Sequence, residues 1–204
     1  MLNNFDPNKP LYVIGMGHSA YELAEFIQRD PTINVNVIDV GRYFELEDYA
    51  QCMIGFQNIE YRVDFINRSK NLLRYWPSYI HPFADVCQSA SIGKGAVIGP
   101  QSCIGHGVRL QDFCYISPFS LIGHGSVLGN NFVCSPSVIV GGSSIVGDNV
   151  FVGSSSCIRD KISVCNDVTL QMTSVVTKSI TESGTYYGNK KIPVDSDKNT
   201  TIMK

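Results

Sequence analysis

The sequence predicts an α/β unit at the N terminus, followed by a coiled, parallel β-structure, an all-β solenoid. The first part contains an apolar run, a glycine turn, apolar residues at helical spacing and then a second apolar run. The second part repeats an apolar residue every six positions from residue 86 to residue 176. We expect the α/β unit at residues 1–80, the solenoid at 81–180 and a partly disordered C-terminal extension at 181–204.

The six-residue period begins at Val86 and continues without a break to Val176. Fifteen of its sixteen positions are Val, Ile or Leu, and the sixteenth is Cys134. Gly follows directly at eight positions, and the residue four later is Ala, Ser, Val or Cys at thirteen of fifteen. Neither a helix nor a simple strand alternation has this period. We expect each hexad to form a short strand and a bend, with Gly allowing backbone angles that a Cβ forbids.

Two copies of the tetrapeptide Ile-Gly-His-Gly stand eighteen residues apart, which is three hexads. Three hexads make one triangular coil, and coils stack at the inter-strand spacing of ~4.8 Å. His106 and His124 therefore occupy the same slot on consecutive coils. The column begins at Gln88 and continues to Gly142 and Asp160. The repeat explains the spacing and leaves open whether either histidine is functional.

The segment LYVIGMGHSAYELAEFI predicts a strand, a Gly-x-Gly turn and a helix, and INVNVIDV predicts a second strand. A glycine turn at a helix N terminus can hold a phosphate on main-chain N–H groups. Ala20, however, stands where a dinucleotide-binding motif has its third glycine, so a turn that serves packing alone fits the sequence equally well. Asp39, at the end of the second strand, fits a helix cap and a ribose ligand equally well.

Composition excludes several classes of protein. The net charge is −2, and no basic stripe indicates nucleic-acid binding. There is no apolar span long enough for a membrane helix, and the first ten residues are polar, unlike a signal peptide. The seven cysteines are widely spaced without a Cys-x-x-Cys pair, which is typical of reduced thiols. We therefore expect a cytoplasmic protein.

Several segments together resemble one family. They are the turn IGMGHSAYELAEF, the junction YIHPFADV, the hexads, and SVVTKSI with YYGNKKIP near the C terminus. These segments resemble the bacterial sugar acetyltransferases typified by the UDP-4-amino-sugar N-acetyltransferase PglD and the sialic acid O-acetyltransferase NeuD. The resemblance covers nearly the whole chain. It implies a Rossmann-like nucleotide-sugar domain followed by a left-handed parallel β-helix.

The resemblance also implies an activity. The family acetylates an amino or hydroxyl group of a sugar for polysaccharide biosynthesis, with acetyl-CoA as donor, and forms homotrimers that hold coenzyme A between adjacent β-helices. Such transfer needs a base near neutral pH and donors for the oxyanion. The resemblance places the cofactor on Gly142, Gly153 and Ser154. It places the substrate on Gly15, Gly17, His18, Asp39 and His106.

Two positions compete for the base. The segment HGVRLQDFCYISP, from His106, matches the residues after the family's catalytic histidine better than the segment from His124 does. Counting forward from the His81-Pro82 junction and back from VVTK both place the base at residue 124. One coil beyond His124 stands Gly142, where the family has a glycine that offers its N–H to the acetyl group. We predict His124 as the base, in direct transfer without an acyl-enzyme.

The match to the family is incomplete. The acidic neighbour of the family's histidine is absent, because Gly123 and Gly125 flank His124. A catalytically silent sugar-nucleotide-binding or scaffold homologue is the alternative. A zinc site like that of hexapeptide carbonic anhydrases needs a third histidine, and these coils offer only two. No metal is therefore expected.

Overall fold

A computed structural model describes residues 2–193 of the chain. Residues 194–204, part of the extension for which we expect disorder, lie outside the described residues. Within residues 2–193, no helix combines the length and the hydropathy needed to cross a membrane.

The N-terminal unit is a four-stranded parallel sheet with three helices, preceded by a two-residue strand that pairs antiparallel with Ser78 and Tyr79 outside this sheet. Its elements are β1 (Leu2–Asn3), β2 (Leu11–Ile14), α1 (His18–Gln28), β3 (Val35–Ile38), α2 (Val40–Tyr43), β4 (Ala50–Ile54), α3 (Ile59–Ser69) and β5 (Arg74–Tyr75). The sheet has the order β3-β2-β4-β5, and all its pairs are parallel. Helix α1 buries Ala20, Leu23, Ala24 and Ile27, which share one face at helical spacing. The two predicted strands and the helix between them are thus confirmed.

Residues 78–191 form a solenoid of short strands. They are β6 (Ser78–Ile80), β7 (Asp85–Val86), β8 (Ser91–Ile92), β9 (Val97–Ile98), β10 (Cys103–Ile104), β11 (Arg109–Leu110), β12 (Tyr115–Ile116), β13 (Leu121–Ile122), β14 (Val127–Leu128), β15 (Val133–Cys134), β16 (Ile139–Val140), β17 (Ile145–Val146), β18 (Phe151–Val152), β19 (Cys157–Ile158), β20 (Ser163–Val164), β21 (Val168–Leu170), β22 (Val175–Val176), β23 (Gly184–Tyr187) and β24 (Lys190–Lys191).

Three sheets form the three faces of the solenoid, and within each sheet the strands of successive coils are stacked. Every third strand joins the same face, as in the order β22-β19-β16-β13-β10-β7 of the six-stranded sheet. Ile104 pairs with Ile122, and Ile122 pairs with Val140, so successive partners are eighteen residues apart. The aliphatic hexad residues point inward and form one continuous core. The solenoid matches the left-handed β-helix that the resemblance implies.

We expected the glycines that directly follow the aliphatic hexad residues to adopt backbone angles that a Cβ forbids. They have a different role. Their φ angles are not positive; instead, the next coil passes close to them. A Cβ on Gly123 would lie 2.6 Å from the main-chain nitrogen of Gly142. The left-handed conformation occurs two residues later in the hexad, for example at Gly125 (φ 67°) and Ser143 (φ 57°). These glycines therefore allow close stacking of coils, and our interpretation of their backbone angles was wrong.

The small residues at the corners include buried serines that join neighbouring coils. Ser126 donates through Oγ to the carbonyl of Gly141 at 3.0 Å and accepts from the main-chain nitrogen of Ser144 at 3.3 Å. A buried hydroxyl without such partners would be costly. The same arrangement joins Ser156 to Gln171 and Ser174. At the corners that carry serine, the small side chain thus also satisfies main-chain groups of the next coil.

The N-terminal unit packs on the outer face of the sheet that contains β9 and β12. Tyr79, Val97, Tyr115 and Val133 cluster there with apolar residues of β2 and α1. Arg62 of α3 is fully buried at the same junction. Its Nε donates to Asn131 Oδ1 at 2.7 Å, and its two terminal nitrogens donate to the carbonyls of Phe56 and Phe113. Burial lowers the pKa of Arg62 to about 10.

The C-terminal part of the chain closes the last coil. Strand β23 pairs in parallel with β21, and β24 pairs antiparallel with β23. Tyr186 of β23 packs into the solenoid core. Residues 184–191 of the expected extension therefore form part of the nine-stranded sheet.

Candidate functional site

The histidine column lies along one edge of the solenoid, at the turns that follow the six-stranded face. His106 accepts through its main-chain oxygen from the nitrogen of Gly125 at 2.8 Å, and His124 accepts likewise from Ser143 at 2.7 Å. These bonds stack the turns in register. The side chains of both histidines are exposed. The edge therefore presents two imidazoles to solvent, one coil apart.

The His124 ring lies in the space that Gly142 leaves free. A Cβ on Gly142 would be 2.7 Å from Nε2 and 2.8 Å from Cε1 of His124. Within residues 2–193, no group forms a hydrogen bond with this ring. The Gly142 N–H also has no acceptor among the described residues. A proton acceptor and a free main-chain donor thus stand side by side on an exposed edge.

His106 has a different environment. Its Nδ1 lies 2.8 Å from Ser89 Oγ, and the same hydroxyl accepts from the main-chain nitrogen of Gly107 at 3.0 Å. Ser89 is eighteen residues before Gly107, so the sequence repeat could have predicted this contact. The hydrogen bond at Nδ1 therefore fixes the orientation of the His106 ring. The His124 ring has no such hydrogen bond within residues 2–193.

Gly153 and Ser154 lie at another edge of the solenoid. They belong to the turn between β18 and β19. The turns of the histidine column instead follow the strands β10, β13, β16 and β19. The six-stranded face therefore separates these residues from His124 within one chain. Gly142 is the one predicted cofactor residue that the fold brings against His124.

The predicted glycine turn connects β2 to α1, at the carboxyl end of the parallel sheet. Gly15 has φ 127°, a region that favours glycine. Gly17 is the N-cap of α1, and a Cβ there would meet nothing within 4 Å. His18 is the first residue of the helix. Asp39 caps α2, since its side chain accepts from the main-chain nitrogen of Arg42 at 3.1 Å.

A pocket of about 350 Å³ opens beside this turn. Gly15 and Met16 line it together with aromatic and charged residues that include Phe56, Tyr61 and Arg68. Gly17, His18 and Asp39 do not line it. The sequence did not predict the aromatic and charged lining residues. Phe56 could have been found, because it follows a fully buried strand at the same sheet edge as Gly15.

Two cysteines in the core of the solenoid are unsuited to nucleophilic catalysis. Cys114 and Cys134 are fully buried in its core. Burial raises the pKa of Cys114 to about 12 and that of Cys134 to about 11. Because the thiolate is the reactive form, both thiols are inert near neutral pH. Within residues 2–193, no three His, Cys, Asp or Glu side chains are grouped so that they could hold a metal ion.

Comparison with known families identifies the repeat region. The family model described as the GMPPB C-terminal domain matches residues 76–187, more than half of the chain. The chain belongs to the GMPPB C-terminal domain family. In this member the matched region begins at Trp76, runs through the histidine column and ends in β23. No curated protein sequence matches the chain.

Solved structures share the fold of this family member over nearly its whole length. The acetyltransferase domain of PglB from Neisseria gonorrhoeae is 24% identical, with a TM-score of 0.82 over 92% of this chain and 100% of that one. WeeI from Acinetobacter baumannii is 18% identical, with a TM-score of 0.79 over 90% and 99%. PerB from Caulobacter crescentus, solved with CoA and GDP-perosamine, is 17% identical, with a TM-score of 0.76 over 91% and 95%.

Proposed function

We propose that the chain is an acyltransferase that moves the acetyl group of acetyl-CoA to an amino or hydroxyl group of a nucleotide-linked or free sugar. The observation that carries the proposal is the pair formed by His124 and Gly142. The His124 imidazole lies against Gly142. Within residues 2–193, neither this ring nor the Gly142 N–H has a hydrogen-bond partner. The proposal places the reaction at this pair, on the exposed edge of the solenoid.

His124 acts as the general base. A neutral imidazole near physiological pH takes the proton from the attacking amine or hydroxyl. The attacking atom then adds to the thioester carbonyl, and the Gly142 N–H donates to the oxygen on which negative charge develops. Collapse of this intermediate releases coenzyme A. A Cβ at position 142 would collide with the His124 ring, so the missing side chain lets the base lie directly beside the donor.

The N-terminal unit serves as a Rossmann-like nucleotide-sugar domain. Its glycine turn offers main-chain nitrogens at the N terminus of α1, where Gly17 makes no side-chain cap. The adjoining pocket has an aromatic wall, which suits a base, and Arg68 at its edge, whose ion pair with Asp64 a phosphate would have to compete with. Among the solved structures with this fold, PerB binds GDP-perosamine.

The active assembly is a homotrimer with the cofactor between copies. The six-stranded face exposes Leu121, Ile139 and Val175 in one stripe, and such a stripe suits a subunit interface. A second copy on this face would bring Gly153 and Ser154 of one chain toward the histidine edge of another. The PglB domain has been solved with acetyl coenzyme A and PerB with CoA, which supports the choice of donor.

The direct test is release of free thiol from acetyl-CoA in the presence of UDP-, GDP- and dTDP-linked amino sugars. At least one acceptor is expected to give turnover that His124→Ala abolishes. Absence of turnover with every acceptor, together with no protection by coenzyme A against heat, would favour the silent scaffold homologue. The missing acidic neighbour of His124 is the feature that keeps this second candidate open.

A further inference from the structure

A cavity of about 200 Å³ lies where α3 and β5 meet the solenoid, away from the histidine column. Its walls carry three cations, Lys70, Arg74 and Lys94, and two aromatic rings, Trp76 and Phe113. No carboxylate lines it. Each of the four other cavities described in residues 2–193 has at least one Asp or Glu in its wall. This cavity is thus suited to an anion.

Arg74 forms part of the cavity wall and is itself buried, with a side chain only 2% exposed. Its terminal nitrogens donate to the carbonyls of Leu73 and Leu46 at 3.0 and 2.9 Å, and one of them also forms an ion pair with Asp48 Oδ1 at 3.4 Å. The Nε–H, in contrast, has no acceptor among residues 2–193. Buried polar groups are nearly always paired, so an unpaired guanidinium donor in a cavity wall indicates a missing acceptor.

A second unpaired group lies beside Arg74. The Tyr43 hydroxyl is fully buried and forms no hydrogen bond of good geometry among the described residues, although Ser69 and Arg74 lie near enough to oppose the rise in its pKa. The Arg74 guanidinium carbon is 5.4 Å from the centre of the Tyr43 ring. Burial raises the pKa of Tyr43, so its hydroxyl stays protonated and able to donate. Ser69 also lies in the cavity wall, but its hydroxyl donates to the carbonyl of Phe65 at 2.6 Å and so offers no free donor.

Two lysines at the rim add positive charge. Lys70 follows the last residue of α3, is exposed and forms no ion pair within residues 2–193. Lys94 lies 3.7 Å from Asp112, and both side chains are well exposed, so this pair neutralises the lysine only weakly. The cavity therefore combines an unpaired buried donor at its wall with exposed cations at its mouth.

We propose that this cavity binds a phosphate group, either inorganic phosphate or a phosphate monoester. The guanidinium of Arg74 supplies a fixed donor, and the lysines supply charge without fixed geometry. A phosphate has enough acceptor oxygens for all of them. Because Lys94 and Phe113 belong to the solenoid whereas Lys70 and Arg74 follow α3, the ligand joins the two parts of the molecule. The inference does not depend on the proposed acetyl transfer.

Trp76 gives a direct readout, because it is the single tryptophan of the chain and lies in the cavity wall. We would titrate the full chain with inorganic phosphate, and separately with AMP, against chloride at equal ionic strength. A saturable change in Trp76 fluorescence, with one site per chain, is expected for at least one ligand. Saturation by inorganic phosphate alone would identify free phosphate as the ligand, and tighter binding of AMP would identify a monoester.

The double variant Lys70→Gln with Lys94→Gln is expected to weaken binding at least tenfold. Lys9→Gln is the matched control, because Lys9 is an exposed lysine at a cavity that also contains Glu47 and Asp48. Circular dichroism would confirm that all variants keep the parent fold. A response that chloride reproduces, that never saturates, or that the double variant retains would overturn the proposal and leave water as the occupant.

Discussion

The turns at His106 and His124 share one tetrapeptide and one backbone conformation, yet their surroundings differ. The φ angles of Gly107 and Gly125 are 65° and 67°. Ser89, on the preceding coil, holds the His106 ring, and the next coil carries another histidine. The His124 ring instead extends over Gly142. In a solenoid, the chemistry available to a repeated residue therefore depends on the coils next to it.

The largest expected difference between the two turns is in catalysis. His124→Ala should lower acetyl transfer by ~10²–10⁴, the usual effect of losing a general base. His106→Ala should alter substrate affinity at most and keep most of the turnover. Steady-state kinetics with acetyl-CoA as donor measures both. An inactive His106→Ala variant would show that His106 is the base, as the match of the segment DFCYISP to the family suggests. Our count of coils, which places the base at residue 124, would then be wrong by one coil.

A smaller effect on kcat is expected from Gly142→Ala, which adds a methyl group beside the His124 ring. In Gly142→Ala, the new Cβ would lie 2.7 Å from His124 Nε2, so the ring must move. Displacement of a reacting group by about 1 Å can cost about a hundredfold in rate, and we expect a loss of about ten- to a hundredfold in kcat.

Gln88→Ala is the matched control for Gly142→Ala, because Gln88 is an exposed member of the same column. It should leave kcat within about twofold of the parent. Unchanged kcat in Gly142→Ala would mean that the contact between ring and glycine has no part in the reaction.

The two turns also show what the sequence could predict. The six-residue period fixed the register of the coils, because inward residues must repeat wherever strands stack. It did not reveal the left-handed turn position, since residues such as Gln101 and Phe119 occupy it as well as glycines. The prolines at 100, 118 and 136, each just before that position, are the signal for a turn of this kind.

The direction in which a side chain points could not be predicted from the sequence. The column placed His124 near Gly142, but its ring position depends on the rotamer and on the free space beside it. The pocket wall formed by Tyr61 and Arg68 likewise depends on how α3 packs against the sheet. Helix α3 is in turn held on the solenoid by the buried Arg62, a contact between residues 69 positions apart.

The stability of the two turns should be equal even though their activities differ. Gly107→Ala and Gly125→Ala each place a Cβ in the left-handed region, which costs roughly 1–2 kcal/mol. A Cβ on Gly107 meets nothing within 4 Å, and one on Gly125 makes only an ordinary contact with Ser143 Oγ at 3.5 Å. Urea denaturation should therefore give losses that agree within about 0.5 kcal/mol. A much larger loss for one variant would show that the turns are not equivalent.

The smallest expected effect concerns the hydroxyl that distinguishes the first turn. Ser89→Ala removes the partner of His106 Nδ1 and the acceptor of the Gly107 N–H. Both groups are exposed to water, which can replace the lost bonds, so the free energy of unfolding should fall by about 0.5–1 kcal/mol. Acetyl transfer should be unchanged, because the His124 ring does not touch Ser89. A Ser89→Ala variant with strongly reduced kcat would show that the first turn takes part in catalysis, and the distinction between the two histidines would no longer hold.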